Sequence, residues 1–400
     1  MRRKVLTMSR DILKLIADET CGKSYQSHKT KLNFEFNTSL RKDSSRPIAG
    51  NFKLGETKNI RGYLSLSELS KKIRDNVSIF TYFLDGSRHV YKIDDISYQN
   101  GLRKMVYPII AGQVTIGCCR RKQKKMFAEQ FLSEIVLTLP DIANSDNSKF
   151  FFPTLTKKIN DKLDDQKFKV LISKILGYSI SQTDNKEQEF ENRAIAKIQE
   201  HMYQAEQNMV ADLVMHGKLN QKNYLVKDGS LEYRISCNVL NDKRKLMSFK
   251  NNYGYVIGVS KKFNPELWTT CAGANFKPDS GFIADLPLYH RTPVICFENF
   301  DFHGDVKFAI WYLRIRERHT DSPFDGVVKI EKMLVTQEET ETEKIESDLA
   351  DYLSACIINE RNPVCYGLDN RWANHIYPIF LTESFVKSKC MSPETFLYLF

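Results

Sequence analysis

Apolar residues recur along the chain at two spacings, and this mixture predicts an α/β fold with a mixed sheet flanked by helices. Runs of β-branched and aromatic residues predict strands at 77–84, 223–226, 231–236, 253–259 and 308–315. The run at 77–84 is expected to stop at Asp85-Gly86-Ser87. Residues 105–117 are typical of two strands hinged at Ala111-Gly112-Gln113.

Helical spacing is strongest over residues 188–216 and ends at Gly217. Six apolar side chains recur there every three or four residues: Ile195, Ile198, Met202, Ala205, Met209 and Leu213. Shorter helices are predicted at 9–20, at 337–357 and after Tyr377-Pro378. The first of these carries Ile12, Leu15 and Ile16 on one side, which favours either docking to a partner or packing on the chain's own core.

Two further helical patterns, at 123–138 and 155–176, precede a polar break at 179–187. We therefore interpret 123–187 as a helical insertion. Residues 38–60 turn polar and contain Gly50 and Gly55, as in an irregular arm. The predicted organisation is an N-terminal helix and arm over 1–60 and one large domain over 61–400.

Composition favours a polyanionic partner and excludes full disorder. The chain has 59 Lys+Arg against 49 Asp+Glu, a formal net charge of +10, and 42% hydrophobic residues. No apolar run approaches the length of a membrane span or of a signal peptide, so a cytoplasmic protein with no membrane association is expected. The nine cysteines are scattered without CxxC spacing, which favours reduced thiols over a disulfide framework.

Candidate chemistry begins with a repeated tripeptide. A strand-like run meets Asp-Gly-Ser at Asp85 and again at Asp228, which would place two carboxylates at strand ends. Asp-Gly-Ser is also a common turn sequence, and that interpretation stays open for each copy taken singly.

A third acid lies within the apolar stripe of the long helix. At about 100° per residue, Glu206 falls roughly 20° from the direction of Ile195, so its carboxylate is expected to face the sheet. The alternative is a rim position with the head group in solvent. Glu200 and Asp212 are the other acids on this helix that we consider.

The order of these elements has a chemical consequence. A strand with Asp85, two strands, a helix with Glu206 and a strand with Asp228 would gather three carboxylates at one sheet edge. Oxygen-only ligands favour Mg²⁺ or Mn²⁺, and a pair of such ions hydrolyses phosphodiesters. The pattern therefore predicts a metal-dependent nuclease.

The chain also resembles a known family over residues 75–400. The element order is similar to the ribonuclease H-like fold. The two Asp-Gly-Ser blocks, Val256-Ile-Gly-Val-Ser-Lys261, Trp311-Tyr-Leu-Arg314, Gly326-Val-Val-Lys-Ile-Glu331 and Tyr377-Pro378 resemble, in order, blocks of NurA, the nuclease that works with the hexameric ATPase HerA.

The resemblance implies roles for particular residues. Asp85, Glu206 and Asp228 would bind Mn²⁺ or Mg²⁺ as catalytic acids, and Tyr377 would be a further catalytic residue. The family has a histidine where this chain has Phe385, and His375 is a possible replacement. The resemblance also implies DNA as substrate, a HerA-like hexameric ATPase as partner, a homodimer, and a role in DNA repair or anti-phage defence.

Basic residues supply candidate DNA contacts. The densest cluster is Arg120-Arg121-Lys122-Gln123-Lys124-Lys125, where we select Arg120, Arg121, Lys124 and Lys125. A solvated surface is the competing interpretation of that cluster. Lys261, directly after a predicted strand, is a separate candidate.

A second class of function remains open, namely a catalytically inactive nucleic-acid-binding or scaffold subunit of the same fold. Retention of Asp85 and Asp228 argues against it, whereas Phe385 favours it.

Overall fold

The computed structural model describes most of the chain. The described residues are 2–32, 53–100, 102–165, 170–180, 187–231, 239, 241–265, 269–272, 275–298, 306–318, 322–360 and 374–400. Most of the predicted arm at 38–60 and of the predicted strand at 231–236 lies outside these residues.

Sixteen strands occur in the described residues, many of them short. The first eight are β1 (Lys23–Ser24), β2 (Thr30–Leu32), β3 (Lys53–Leu54), β4 (Leu64–Ser65), β5 (Phe80–Asn100), β6 (Arg103–Lys122), β7 (Lys125–Pro140) and β8 (Ile172–Tyr178). The others are β9 (Tyr224–Asp228), β10 (Val256–Ser260), β11 (Thr269–Ala272), β12 (Asn275–Pro278), β13 (His290–Arg291), β14 (Ile295–Glu298), β15 (Lys307–Arg314) and β16 (Val327–Met333).

The helices are numbered along the described chain. They are α1 (Arg2–Glu19), α2 (Ser67–Ile73), α3 (Phe151–Asp165), α4 (Glu187–Met215), α5 (Lys243–Asn251), α6 (Ser280–Ala284), α7 (Gln337–Thr342), α8 (Ser347–Ile358), α9 (Tyr377–Ser388) and α10 (Pro393–Leu397).

A large mixed sheet organises the molecule, in the order β3-β14-β15-β16-β10-β9-β5-β6-β7-β8. Strand β5 pairs antiparallel with β6, and β6 pairs antiparallel with β7. On its other side β5 is parallel to β9, which is parallel to β10. The predicted class, a mixed α/β protein, is confirmed.

Two hydrophobic clusters cover the two faces of this sheet. One contains Leu84 and Leu225 together with residues of α1, α3 and α4. The other contains Phe83 and Val226 together with residues of α8 and α9. Successive strand residues point to opposite faces, so β5, β9, β10, β15 and β16 contribute to both clusters. Helices α4 and α9 therefore lie on opposite sides of β5.

The prediction that the strand at 77–84 stops at Asp85 is wrong. Strand β5 continues through Asp85 and Gly86 to Asn100. Gly86 instead provides space, because a Cβ there would collide with Oε1 of Glu206. A glycine inside a strand often marks such a close approach rather than a turn.

The hinge predicted at Ala111-Gly112-Gln113 is also wrong, because here too the glycine lies inside a continuous strand. Residues 103–122 form the single strand β6, and its hairpin joins β5 through Asn100 and Arg103. A Cβ on Gly112 would lie 2.9 Å from Ile198 of α4, so this glycine also accommodates a helix.

The helix predicted at 123–138 is a strand. Strand β7 turns back from β6 at Gln123, whose φ is 56°, and pairs with it from Lys125 to Thr138. Its polar first half lies at the sheet edge, where charged residues are common. Those charged residues made the strand resemble an amphipathic helix in the sequence. Residues 155–176 divide between α3 and β8. Whether 123–187 is an insertion stays a prediction, as do the domain boundaries.

The predicted helices at 188–216 and after Tyr377-Pro378 correspond to α4 and α9. The acidic helix predicted at 337–357 is two helices, α7 and α8, because Glu343 adopts a left-handed φ of 57° at the end of α7. None of the described helices combines the length and apolar character needed to cross a lipid bilayer.

The N-terminal helix packs on its own core. Ile12 and Ile16 are fully buried in the same cluster as α3 and α4. Of the two alternatives for this helix, the structure therefore selects core packing over docking.

We expect Ile16→Ala to lower the free energy of unfolding by roughly 2 to 5 kcal/mol, because it leaves a cavity in the core. The exposed Lys14 on the same helix supplies the control Lys14→Ala, which should change stability by less than about 0.5 kcal/mol. Denaturant unfolding of both variants measures the difference. Equal stability of the two variants would contradict the burial of this helix.

Candidate active site

Polar and charged side chains converge where β5, β9 and β10 run parallel. Asp228 ends β9, and the backbone turns at Gly229, whose φ is 86°. Lys261 directly follows β10. Parallel neighbours bring these positions to one edge of the sheet, beside Asp85 of β5.

The side chains of Asp85 and Asp228 lie on the α9 face of the sheet. Asp85 is two residues from Phe83 and Asp228 is two residues from Val226, and both of those apolar residues belong to the cluster on this face. The cross-strand partner of Asp85 is Gly117, which lies beneath Val386 of α9. Alternation along the strands thus brings the two predicted aspartates together.

Lys261 is buried at the centre of this group. Its Nζ lies 2.7 Å from Asp228 Oδ2, 3.0 Å from Glu383 Oε2 and 2.8 Å from His375 Nε2. Burial lowers the pKa of Lys261, but the charges of Asp228 and Glu383 outweigh it and raise the pKa above its usual value. The ammonium stays charged and holds the two carboxylates together.

Glu383 and His375 come from the C-terminal part of the chain. His375 Nε2 lies 2.8 Å from Glu383 Oε2, and Glu383 Oε1 accepts a hydrogen bond of 2.6 Å from Lys387. Burial acts to raise the pKa of Glu383, whereas the hydrogen bond with His375 and the charges of Lys261 and Lys387 depress it well below its usual range. Glu383 is therefore a carboxylate.

A single imidazole nitrogen either donates or accepts, so Nε2 of His375 either donates to Glu383 or accepts from Lys261. The other ring nitrogen, Nδ1, is buried without a hydrogen-bond partner in the described part of the chain. Whether Nε2 of His375 carries a proton therefore decides which of its two neighbours, Lys261 or Glu383, it hydrogen-bonds.

Asp85 is the acid with the most unusual environment. It is 8% exposed, and within the described residues its carboxylate makes no hydrogen bond or ion pair. Burial raises the pKa of Asp85 well above its usual value, and repulsion from Asp228, Glu383 and Glu206 adds to this, against the attraction of Lys261. The site thus holds more carboxylates than its cations neutralise.

Glu206 lies on the other face of the sheet. Its carboxylate rests over Gly86, and Glu206 Oε2 lies 3.4 Å from Lys227 Nζ. Burial lowers the pKa of Lys227, but Glu206 and other nearby groups raise it above its usual value. The prediction that Glu206 faces the sheet is confirmed, with 2% of the residue exposed. The strand backbone separates it from the side chain of Asp85.

The other helix acids occupy different environments. Glu200 is exposed and pairs with Lys197 at 2.9 Å. Asp212 is half-buried and accepts a hydrogen bond from Gln130. Tyr377 begins α9 and stacks on Phe380 with ring centroids 6.2 Å apart.

The basic residues proposed to bind DNA lie in different environments. Lys124 and Lys125 are exposed at the turn between β6 and β7. The two terminal guanidinium nitrogens of Arg121 donate to the two carboxylate oxygens of Glu360 at 2.7 and 2.9 Å. Nε of Arg120 lies 3.3 Å from Oε2 of Glu129. Lys261 lies within the acid cluster rather than on the surface.

Sequence reasoning missed Glu383, although a signal was present. Glu383 follows the buried Ile379 by four residues and precedes the buried Val386 by three, so it lies within the apolar stripe of α9. The same argument identified Glu206. The sequence offers His375 only as a replacement for the family histidine, and the tertiary structure places it beside Glu383.

The donor set suits a hard divalent cation. Carboxylate oxygens are the preferred ligands of Mg²⁺ and Mn²⁺, and Asp85 is a buried carboxylate without a cationic partner among the described residues. No group of three or more His, Cys, Asp and Glu side chains within the described ranges has a metal-binding arrangement. The ammonium of Lys261 instead lies between the Asp228 and Glu383 carboxylates.

The fold and this cluster define a mixed α/β protein with a buried acid site at a sheet edge. No protein-family model matches the chain, and no curated protein matches it. Among solved structures, the crystal structure of the NurA nuclease from Sulfolobus solfataricus is similar over 80% of this chain and 86% of that chain, with 11% sequence identity and a TM-score of 0.38. A likeness at this level establishes neither fold nor function.

We expect Asp85→Asn to stabilise the protein at neutral pH without divalent cations, because it removes a carboxyl group whose charged form is disfavoured. A pKa raised in the folded state gives stability that is present at low pH and lost as pH rises. The advantage of the variant should therefore shrink on acidification. The melting temperature should rise by roughly 1 °C per kcal/mol gained, given the length of the chain.

Thermal unfolding in EDTA at several pH values measures this effect. The exposed Asp18 provides the control Asp18→Asn, which should show no such pH-dependent gain. A variant at Asp85 that is less stable than the wild type at every pH would contradict the proposed electrostatics.

Proposed function

We propose that the protein is a metal-dependent nuclease that hydrolyses phosphodiester bonds in DNA, on a ribonuclease H-like arrangement of strands. The observation that carries the proposal is the buried Asp85 carboxyl group beside Asp228 and Glu383, with its pKa raised by burial and by their charges. Perturbed carboxylates in such a cluster are typical of catalytic sites. The strand order around β5, with α4 between β7 and β9, further supports the proposal.

Asp85, Asp228 and Glu383 would hold a divalent cation on the α9 face, whereas Glu206 lies on the α4 face and would not share that ion. When bound, Mn²⁺ or Mg²⁺ supplies an activated water and stabilises charge on the attacking and leaving oxygens, with two ions as the proposed number. Asp228 and Glu383 repel the charged form of Asp85, so added positive charge would relieve that repulsion.

The protein's own residues position the site. Lys261 holds Asp228 and Glu383 and limits their repulsion. His375 fixes Glu383 through its Nε2. Tyr377, at the first turn of α9, is proposed as a further catalytic residue that faces the substrate. Lys227 plays the corresponding positioning role for Glu206.

The chain's surface charge and the motif resemblance support the wider role. A net charge of +10 favours DNA as the substrate. The sequence contains no Gly-x-x-x-x-Gly-Lys-Ser/Thr phosphate loop, so a HerA-like hexameric ATPase is proposed to feed the strand. A homodimer and a role in DNA repair or anti-phage defence complete the proposal.

An inactive nucleic-acid-binding subunit is the second candidate. The observation that favours it is the position of Lys261, which satisfies Asp228 and Glu383 without any metal ion. On that alternative the acids form a structural ion-pair network. Cleavage assays separate the two candidates.

Labelled linear DNA incubated with Mn²⁺ or Mg²⁺ should be cleaved, and EDTA should abolish cleavage. Asp85→Asn and Asp228→Asn should each lower the cleavage rate by at least about 100-fold, because each removes a ligand charge. Glu383→Gln should also be severe, for the same reason. Glu200→Gln is the matched control on α4 and should retain the wild-type rate, since Glu200 is exposed.

Circular dichroism and melting curves must show that each variant is folded. A wild-type protein that binds DNA without cutting it under any metal condition would favour the inactive alternative. A folded Asp85→Asn variant with the wild-type rate would refute this site.

DNA affinity should decrease steeply with salt, because lysines displace counterions from phosphates. Replacing Lys124 and Lys125 by Ala should reduce the slope of log affinity against log salt for each phosphate that is no longer neutralised, by about 0.9 on duplex DNA and about 0.7 on single strands. The adjacent exposed lysines Lys157 and Lys158 on α3 provide a control of equal charge. The same reduction in both double variants would assign the effect to net charge alone.

A further inference from the structure

An aromatic pair of one exposed and one half-buried ring lies beside the acid cluster on the α9 face of the sheet. Phe131 of β7 is 41% exposed, although it is a large apolar residue. Its ring meets that of Phe385 on α9 edge-on, with centroids 5.7 Å apart. Lys389, also exposed, places its Nζ 5.6 Å from the centroid of Phe385. We call Phe131, Phe385 and Lys389 the aromatic strip.

The strand register ties this strip to the acids. Asp85 of β5 is paired with Gly117 of β6, and Gly117 is paired with Phe131 of β7. Directly paired residues share a face, so Asp85, Gly117 and Phe131 form one row across three strands. At about 4.8 Å per strand, Phe131 is roughly 10 Å from Asp85.

Gly117 leaves room for the second ring. A Cβ at this position would lie 3.2 Å from Phe385 Cδ1 and 2.7 Å from Val386 Cγ2. The Phe385 ring thus lies over Gly117, in the middle of the row between the carboxylate of Asp85 and the ring of Phe131.

The edge itself is open at this point. Strand β8 pairs with β7 only over Ile135 to Pro140, so in the described strands the first half of β7 has a partner on one side only. Lys124 and Lys125 are exposed at the adjoining turn, and Lys387 and Lys389 are exposed on and after α9. Lys389 therefore lies against the rings, whereas Lys124 and Lys125 lie about 20 Å farther along the same edge strand.

We infer that the aromatic strip stacks unpaired bases of a single-stranded DNA segment whose backbone enters the acid site. Exposed aromatic rings beside lysines are the combination that binds single strands, since rings stack on any base and lysines neutralise phosphates. In a duplex the bases are stacked on each other and do not reach such rings. The inference rests on the proposed nuclease function and specifies its substrate form.

Strand β7 also carries a matched control. Phe127 is 46% exposed and pairs with Arg120, whereas Phe131 pairs with Gly117. A bulge between Cys118 and Cys119 leaves Ala128 opposite Cys119. The thiol of Cys119 contacts Thr382 of α9, so Cys119 and Ala128 lie on the α9 face. Phe127 is one residue from Ala128 along the strand and therefore points to the opposite face. Phe127 thus has similar exposure on the same strand but points away from the acids.

Binding to a fluorescent oligothymidine is measured by anisotropy in EDTA, where metal-dependent cleavage does not interfere. Phe131→Ala and Phe385→Leu should each weaken binding by about fivefold or more, as expected for the loss of a base-stacking ring. Phe127→Ala should stay within about twofold of the wild type. Phe131→Trp should restore binding, because a larger ring stacks at least as well.

Two further ligands test the chemistry. An oligonucleotide of equal length with abasic sites, and a blunt duplex, should bind all variants equally, because neither offers an unpaired base to the strip. Equal weakening by Phe127→Ala, or the same loss with the abasic ligand, would overturn the inference. Melting curves establish that the variants are folded, and Phe131→Trp distinguishes lost stacking from lost packing.

The outcomes also separate this inference from the proposed function. Single-strand binding that depends on Phe131 in a protein that never cleaves DNA would support the strip and refute the nuclease proposal. Cleavage that depends on Asp85, with single-strand binding indifferent to Phe131, would support the nuclease proposal and refute the strip. Preferential loss of RNA binding over DNA binding would refute DNA as the strip's occupant.

Discussion

The buried ammonium of Lys261 is the interaction on which the acid site depends. Asp228 and Glu383 converge from a strand and from the C-terminal helix, and two carboxylates so placed repel each other strongly where water is scarce. Lys261 lies between them at 2.7 and 3.0 Å. Removing one member of such a group leaves an uncompensated buried charge, which makes the junction of β9, β10 and α9 mutually dependent.

The two-residue period of the strands distributes the charges around this junction. Asp85 and Asp228 take the α9 face, whereas Gly86 and Lys227, one residue away in each strand, take the α4 face with Glu206. Each face then holds its own lysine and its own acids. The glycine of the first Asp-Gly-Ser block matters because it allows Glu206 to approach the strand, and only the second block, at Gly229, forms the expected turn.

Asp85 shows how such a site is maintained at a cost to stability. Its carboxyl group is buried, unpaired within the described residues and repelled by three acids, so nothing in its described surroundings stabilises its charged form except the field of Lys261. Structural acids are usually satisfied by partners. The state of Asp85 is the observation on which the proposed cation site depends.

The sequence by itself determined the α/β class, the long helix α4, the strands that carry Asp85 and Asp228, and the burial of Glu206, because these follow from local periodicity. It did not determine that Asp85 lies inside a 21-residue strand, nor that residues 125–140 are a strand, because the close approach of a helix and the pairing partner decide those. Lys261 is 114 residues from His375 and 122 residues from Glu383 along the chain. Only the packing of α9 against β5 and β9 brings their charges together, since no local pattern records a contact between distant residues.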